Sequence, residues 1–252
     1  MVLKEGNYVI LYGSEKKYLL PIKEGLFHTH KGSINLSELK NKTYGDRILS
    51  STGEPFFILK PTLYDFIMKL KRITQIIYPK DLGYIILKLG VAEGKRYIEC
   101  GSGSGALTCI LAFLVGEGGQ VISYEREEKF LQVAKENVKR LGLESRVVFK
   151  LKEIKDTFDE KDVDGIFIDT RKPWEILGAA YNALKGGHPL GILVPTANQV
   201  SETLRGLKEL PFVDLEVVEI LLRKYKINPE RLRPEDQMVG HTGYLIFAKK
   251  VL

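Results

Sequence analysis

Residues Tyr97 to Thr108 read Y-I-E-C-G-S-G-S-G-A-L-T. This stretch predicts a buried strand that ends in a glycine-rich turn, with a helix beginning near Gly105. Gly101, Gly103 and Gly105 remove the Cβ atoms that would block close backbone approach. The main-chain amides at the helix start then face whatever fills the crevice. A turn of this kind at the C-terminal end of a parallel strand is where nucleotide-like cofactors bind in open α/β sheets.

Glycine spacing alone leaves the cofactor open. Gly101, Gly103 and Ala106 satisfy the dinucleotide pattern G-x-G-x-x-G/A, so a nicotinamide or flavin enzyme fits them. Glu99 extends the pattern to E-x-G-x-G-x-G, which is similar to the first motif of S-adenosylmethionine-dependent methyltransferases, where the acid helps place the amino-acid end of the cofactor. Glu125 closes the next apolar run, Val121-Ile122-Ser123-Tyr124. It follows the turn by about 20 residues, the distance at which a carboxylate reaches ribose hydroxyls in either class.

The bulk properties narrow the field. A chain of 252 residues with a net charge of +6 and a mean hydropathy of -0.09 suits a globular protein with one large domain and a small one. No apolar run has the length a membrane helix needs, and M-V-L-K-E-G-N carries no signal-peptide core, so a cytoplasmic protein with no membrane association is expected. Cys100 and Cys109 read as reduced, buried thiols. The four histidines lack metal-ligand spacing, and no metal is expected. The basic balance favours a polyanionic partner.

Taken in order, residues 1–60 form short strand runs around turns such as Gly13-Ser14-Glu15, which predicts a small barrel or sandwich. Residues 61–252 form a second domain. Thr62 is placed to cap a short helix to Leu70, and Pro79 marks a break before a helix over Asp81–Leu89. The intervening segment carries Gln75 and Tyr78, which become site candidates because a segment before the first core strand commonly folds over the cofactor. Strands are expected at Arg96–Cys100, Gln120–Tyr124, Arg146–Leu151, Gly165–Asp169 and Pro189–Val194. They alternate with helices at Gly105–Val115, Glu127–Leu141, Pro173–Leu184 and Ala197–Leu210. That alternation predicts an α/β fold, a Rossmann-like parallel sheet covered on both faces. Two β-rich runs, Val213–Tyr225 and Gly243–Val251, add a terminal antiparallel hairpin. This is the class I methyltransferase arrangement and not that of a dehydrogenase.

Two further constellations carry chemistry. The fourth strand ends I-F-I-D-T-R-K-P-W, which sets Asp169 on the rim of the glycine turn, with Trp174 offering a flat face beside it. The segment Arg231 to Tyr244, R-L-R-P-E-D-Q-M-V-G-H-T-G-Y, brings Arg233 and His241 into a loop able to hold phosphate or an extruded base.

With R-I-T-Q-I-I-Y-P-K-D at Arg72–Asp81, D-x-x-x-P-W at Asp169–Trp174 and R-P-x-x-x-M-V-G-H-T-G-Y at Arg233–Tyr244 in this order, the whole chain resembles the tRNA adenine-N1 methyltransferases that modify adenine 58 of the T-loop. The resemblance implies S-adenosylmethionine as cofactor, tRNA as substrate and a homotetramer. It makes Asp169 the catalytic carboxylate. Glu99, Gly101, Gly103, Ser104, Gly105, Ala106, Leu107 and Glu125 hold the cofactor, joined by Gln75, and Asp156 is the acid nearest its adenine. Tyr78, Trp174, Arg233 and His241 line the substrate side. Two positions depart from the family pattern. Thr170-Arg171-Lys172 replaces Leu-Pro or Met-Pro-Glu/Asp after the catalytic acid, and Val194 stands where many members have Tyr before Pro195. Rival readings are a methyltransferase for a protein or small molecule, a noncatalytic RNA-binding partner subunit and, least supported, a nicotinamide dehydrogenase.

Overall fold

The computed structural model describes residues 2–252. The chain divides into two compact units between Lys69 and Leu70. In the first, strands β1 (Tyr8–Gly13), β2 (Lys16–Pro21), β3 (Leu26–Thr29), β4 (Gly32–Asn35), β5 (Arg47–Leu49) and β6 (Pro55–Leu59) are followed by helix α1 (Leu63–Met68). The expected barrel or sandwich is an antiparallel sheet in the order β2-β1-β6-β5, with β3-β4 as a separate hairpin. Ser14 and Glu15 both have positive φ, as a two-residue turn matched to the twist of β1 and β2 requires. Val9, Leu11, Leu20, Phe56 and Ile58 fill the core. Thr62 caps α1 through a reciprocal capping box with Asp65. The division falls later than residue 60 because α1 stays with the sheet: the Phe66 ring packs edge-on against Tyr8 of β1, centroids 5.2 Å apart.

The second unit comprises α2 (Pro79–Leu89), β7 (Arg96–Cys100), α3 (Ala106–Val115), β8 (Gln120–Glu125), α4 (Glu128–Arg140), β9 (Val147–Leu151), β10 (Gly165–Ile168), α5 (Leu177–Ala183), β11 (Pro189–Val194), α6 (Ala197–Lys208), β12 (Phe212–Val218) and β13 (Tyr244–Lys250). Its seven strands run β12-β13-β11-β10-β7-β8-β9. The five from β11 to β9 are parallel, and β13 is antiparallel to both its neighbours. The inner parallel strands are buried on both faces because helices cover both: Ile98, Ile166, Ile168 and Ile192 pack with α5 and α6 residues such as Leu177 and Leu207 in one core. Among the described residues no helix is long and apolar enough to cross a membrane.

Three elements differ from expectation. Pro79 opens α2 at its first position instead of breaking the chain before it, where its missing N–H costs nothing. Pro173–Ile176 is a separate 3₁₀ turn, and α5 starts only at Leu177. The run Val213–Tyr225 is a strand only to Val218, because β13 begins at Tyr244 and offers no partner beyond the Leu245–Val218 pair.

The register fixes what matters for function. Ile168 lies level with Cys100, and Cys100 with Tyr124. The next residues, Asp169, Gly101 and Glu125, therefore reach one rim from three adjacent strands.

Candidate active site

A cleft of about 740 Å³ opens at this rim, with Gly101, Gly103, Glu125, Asp169 and Gln75 among its lining residues. All three motif glycines have positive φ, at 99° (Gly101), 52° (Gly103) and 78° (Gly105), where a side chain is strained. The space that their missing Cβ atoms leave is taken by protein. A Cβ on Gly101 would lie 2.1 Å from the Asp169 carbonyl oxygen, and one on Gly105 would lie 3.0 Å from Ala134 Cα on α4. The glycines thus let β7 and β10 and the helix α4 close up, and only Gly101 and Gly103 face the cleft. Ser104, Ala106 and Leu107 are buried behind the turn. With Gly105, they are not among the residues that line the cleft.

Glu125 is held rigidly. Its Oε1 accepts from the amides of Arg126 (2.9 Å) and Glu127 (3.0 Å), and its Oε2 from Gly103 N (3.1 Å). Of the roughly four lone-pair positions of a carboxylate, one on Oε2 stays available to a hydroxyl in the cleft. Apolar walls come from Phe130, Ile154 and Ile176, a setting that suits a flat heterocycle. An adenosine-type cofactor fits both features.

Glu99 lies under the floor and not in the cleft. It is 2% exposed, and its Oε2 accepts from Ser123 Oγ at 2.6 Å and from Thr108 Oγ1. Burial raises its carboxyl to about 8. Asp169 has its amide fixed by Cys100 O at 2.8 Å, while its side chain faces the open cleft. Enclosure by the cleft walls, then the charge of Glu125, raises it to about 7. The side chain is exposed to water in the cleft, which weakens that shift without reversing it. Burial pushes the Cys100 thiol up to about 12, which leaves it an inert wall.

The segment before α2 is fastened across the glycine turn by one side chain. Asn137 of α4 is 2% exposed. Its Nδ2 donates to Lys71 O and Ser104 O, both at 2.9 Å, and its Oδ1 accepts from Lys71 N at 3.0 Å. Thr74 Oγ1 and Ser104 Oγ add a bond of 2.9 Å, and Thr74 and Gln75 line the cleft. Asn137→Ala removes one partner of the buried Ser104 carbonyl and both side-chain bonds to the part-buried backbone of Lys71, and is expected to cost about 1–3 kcal/mol. Hydrogen exchange of residues 71–78 should quicken relative to α3; unchanged protection there would disprove the fastening.

Other expected site residues do not line the cleft. Trp174 packs on the core beside α6, where Gly206 leaves room for the neighbouring Leu177, and is not in the cleft. It fills the gap between the 3₁₀ turn and α6. Tyr78 is the N-cap of α2. Arg233 pairs with Asp236 at 3.0 Å. Both ring nitrogens of His241 face acceptors, Glu219 Oε1 at 2.6 Å and Pro195 O at 2.7 Å, so the ring serves both only as an imidazolium; Glu219, then the Pro195 carbonyl, raise its pKa. Next to it Thr242 accepts from Lys80 Nζ at 2.6 Å and donates to Asp81 at 2.9 Å. These contacts pin the M-V-G-H-T-G loop to β11, β12 and α2. Asp156 is exposed and outside the cleft; the acid there is Glu153, paired with Arg126 at 3.2 Å. Thr74, Phe130, Ile154 and Ile176 were not singled out from sequence. Each follows a strand's C-terminal end or precedes the glycine turn, and that positional rule is the signal that finds them.

Residues 55–237 match the family model described as "tRNA methyltransferase complex GCD14 subunit". The chain belongs to this tRNA methyltransferase family. A relative from Methanocaldococcus jannaschii, named tRNA (adenine(57)-N(1)/adenine(58)-N(1))-methyltransferase TrmI, is 33% identical over 93% of this chain and 91% of its own length. Among solved structures, the tRNA (m1A58) methyltransferase TrmI of Aquifex aeolicus is 40% identical with a TM-score of 0.88, covering 100% of both chains. A Thermotoga maritima protein described as a SAM-dependent O-methyltransferase is 47% identical with a TM-score of 0.94, covering 100% of this chain and 95% of its own. This family member therefore has near neighbours under two substrate descriptions.

Proposed function

We propose that this chain transfers a methyl group from S-adenosylmethionine to N1 of adenine 58 in the T-loop of tRNA. The observation that carries this reading is the shared cleft of Asp169, Glu125 and the glycine turn in a chain of this family. S-adenosylmethionine supplies an electrophilic methyl group. Glu125 binds its ribose, Gly101 and Gly103 border its methionine end, Gln75 closes over it, and Glu153 takes the place near the adenine expected of Asp156. Glu99 acts from beneath by holding the floor through Thr108 and Ser123.

N1 lies on the Watson–Crick edge, so the target base has to leave its stack to enter the cleft. Asp169 accepts a hydrogen bond from the exocyclic N6 amine. That bond aims the N1 lone pair at the methyl group and stabilises the positive charge that develops on the ring. N1 needs no deprotonation before it attacks, and a single carboxylate suffices.

The description of the Thermotoga relative favours a second reading, methyl transfer to an oxygen of a protein or small molecule. An oxygen nucleophile has to lose a proton, which calls for a general base beside the methyl group. Asp169 is the one cleft acid raised toward neutrality, and it suits an amine donor as well. The experiment is incubation of unmodified tRNA with the protein and labelled S-adenosylmethionine, followed by mass spectrometry of the nucleosides. 1-Methyladenosine at position 58 is expected, and tRNA left unlabelled would defeat the proposal. The same digest reports whether a neighbouring adenine is modified.

We also take the working form to be a cytoplasmic homotetramer. Support comes from the arm after β12, where Leu221, Leu222, Tyr225, Leu232 and Val239 are exposed and Ile227 is fully so, at 101%. An apolar surface of this extent calls for a covering partner, and a further copy of the chain supplies one. Sedimentation equilibrium should give four chains per particle; a monomer at micromolar concentration would contradict it.

A further inference from the structure

We infer that Arg171 is the residue that recognises the RNA backbone at the mouth of the cleft, binding a phosphodiester next to the extruded adenosine. The inference rests on the proposed methylation of tRNA. Arg171 follows Asp169 by two residues, a span of at most about 7 Å, and both line the cleft. The cations around it are engaged. Lys172 pairs with Glu175 at 2.8 Å, Arg126 with Glu153 at 3.2 Å and Lys152 with Asp159, while the Lys129 ammonium lies over the Phe130 ring, 4.8 Å from its centroid. Among the described residues the Arg171 guanidinium has no carboxylate or hydrogen-bond partner, and its side chain is exposed.

Its backbone is the opposite. The Arg171 carbonyl accepts from Gln199 Nε2 at 2.9 Å, and Gln199 is itself held by Thr196, the N-cap of α6, through bonds of 2.8 Å and 3.3 Å. Two residues on, Pro173 begins the 3₁₀ turn. A fixed base with a free guanidinium fork is suited to an oxyanion, two of whose oxygens it engages through parallel N–H bonds. The anions that enter this cleft are RNA phosphates and the carboxylate of S-adenosylmethionine, and the experiment separates them.

Steady-state methylation of tRNA is measured for the unmodified protein, Arg171→Ala and Arg171→Lys over a series of salt concentrations, with calorimetric binding of S-adenosylmethionine in parallel. Arg171→Ala is expected to raise the KM for tRNA about tenfold with kcat within about twofold, and to lower the salt slope of kcat/KM by about one. Arg171→Lys should restore the slope and only part of the KM. Cofactor affinity should stay within about twofold in both. An unchanged KM and salt slope in Arg171→Ala, or a weakened cofactor in its place, would overturn the inference while leaving the function intact. An unmodified protein that does not methylate tRNA would overturn the function, and the inference with it.

Discussion

Asp169→Ala is expected to lower tRNA methylation by about 10²–10³-fold or more, the cost of removing one oriented group that stabilises developing charge. S-adenosylmethionine should bind the variant with near-native affinity, since Glu125, Gly103 and the walls at Phe130 and Ile154 are untouched. The carboxylate stabilises the charge that develops on the ring only when ionised. With its pKa raised to about 7 by enclosure and by Glu125, activity should rise with pH through the neutral range and fall away below it. Asp169→Asn should flatten that acid limb. Stability moves the other way. A carboxyl whose folded pKa lies above its unfolded value makes folding less favourable as pH climbs between the two. The Ala variant should therefore melt higher relative to the unmodified protein at pH 8 than at pH 5. Near-normal turnover in Asp169→Ala would remove this residue from the mechanism. A melting difference that does not depend on pH would remove the titration argument.

Gly101→Ala should be the most damaging single methyl group in the chain. Its Cβ would lie 2.1 Å from the Asp169 carbonyl oxygen, a backbone atom with no rotamer to yield, and φ is 99°. The displaced groups are tied to the sheet, because Gly101 N donates to Tyr124 O and Asp169 N to Cys100 O, both at 2.8 Å. Relief means parting β7 from β10 at the rim. A loss of about 4 kcal/mol, or roughly 10 °C in melting temperature, is expected. Activity should fall even well below the new midpoint, because the carbonyl that moves belongs to the catalytic acid. A melting point within about 2 °C of native would refute this packing account. Gly142→Ala is the control: its φ is also positive, at 68°, with nothing within 4 Å of the added carbon, so it carries the backbone strain without the collision.

The contrast between these glycines shows what the sequence can and cannot disclose. Spacing located the turn and β7 to the residue. The alternation of apolar runs located β11 equally well and ended β9 and β10 within a residue of their true limits. Such strands are legible because both faces are buried and punctuation by Gly, Pro and charge bounds them. Why the turn needs glycine was not legible: the space at Gly101 belongs to a carbonyl far along the chain, and only the β7–β10 register reveals it. The same reason hides the cleft wall. Phe130 and Ile154 carry no motif and acquire their place from topology. Trp174 and His241 were misleading because an aromatic ring or a histidine beside a motif has the same sequence signature whether it faces a ligand or ties a loop down. Asn137, an ordinary polar letter within a helix, has the sequence signature of a solvated one, and only its bonds to the backbone of Lys71 and Ser104 set it apart.

The order of the last strands has a consequence for how the protein is made. β12 leaves the ribosome before β13, yet β13 lies between it and β11. Until Tyr244–Lys250 emerges, the outer edge of β11 has no strand to pair with, and β12 has no place in the sheet. The nascent chain thus carries an unpaired edge beside an apolar arm for the whole of that interval, the condition under which strands join those of other chains. Closure of the sheet is an insertion into a waiting slot, so refolding should be slowed by early β11–β12 pairing and hastened by dilution.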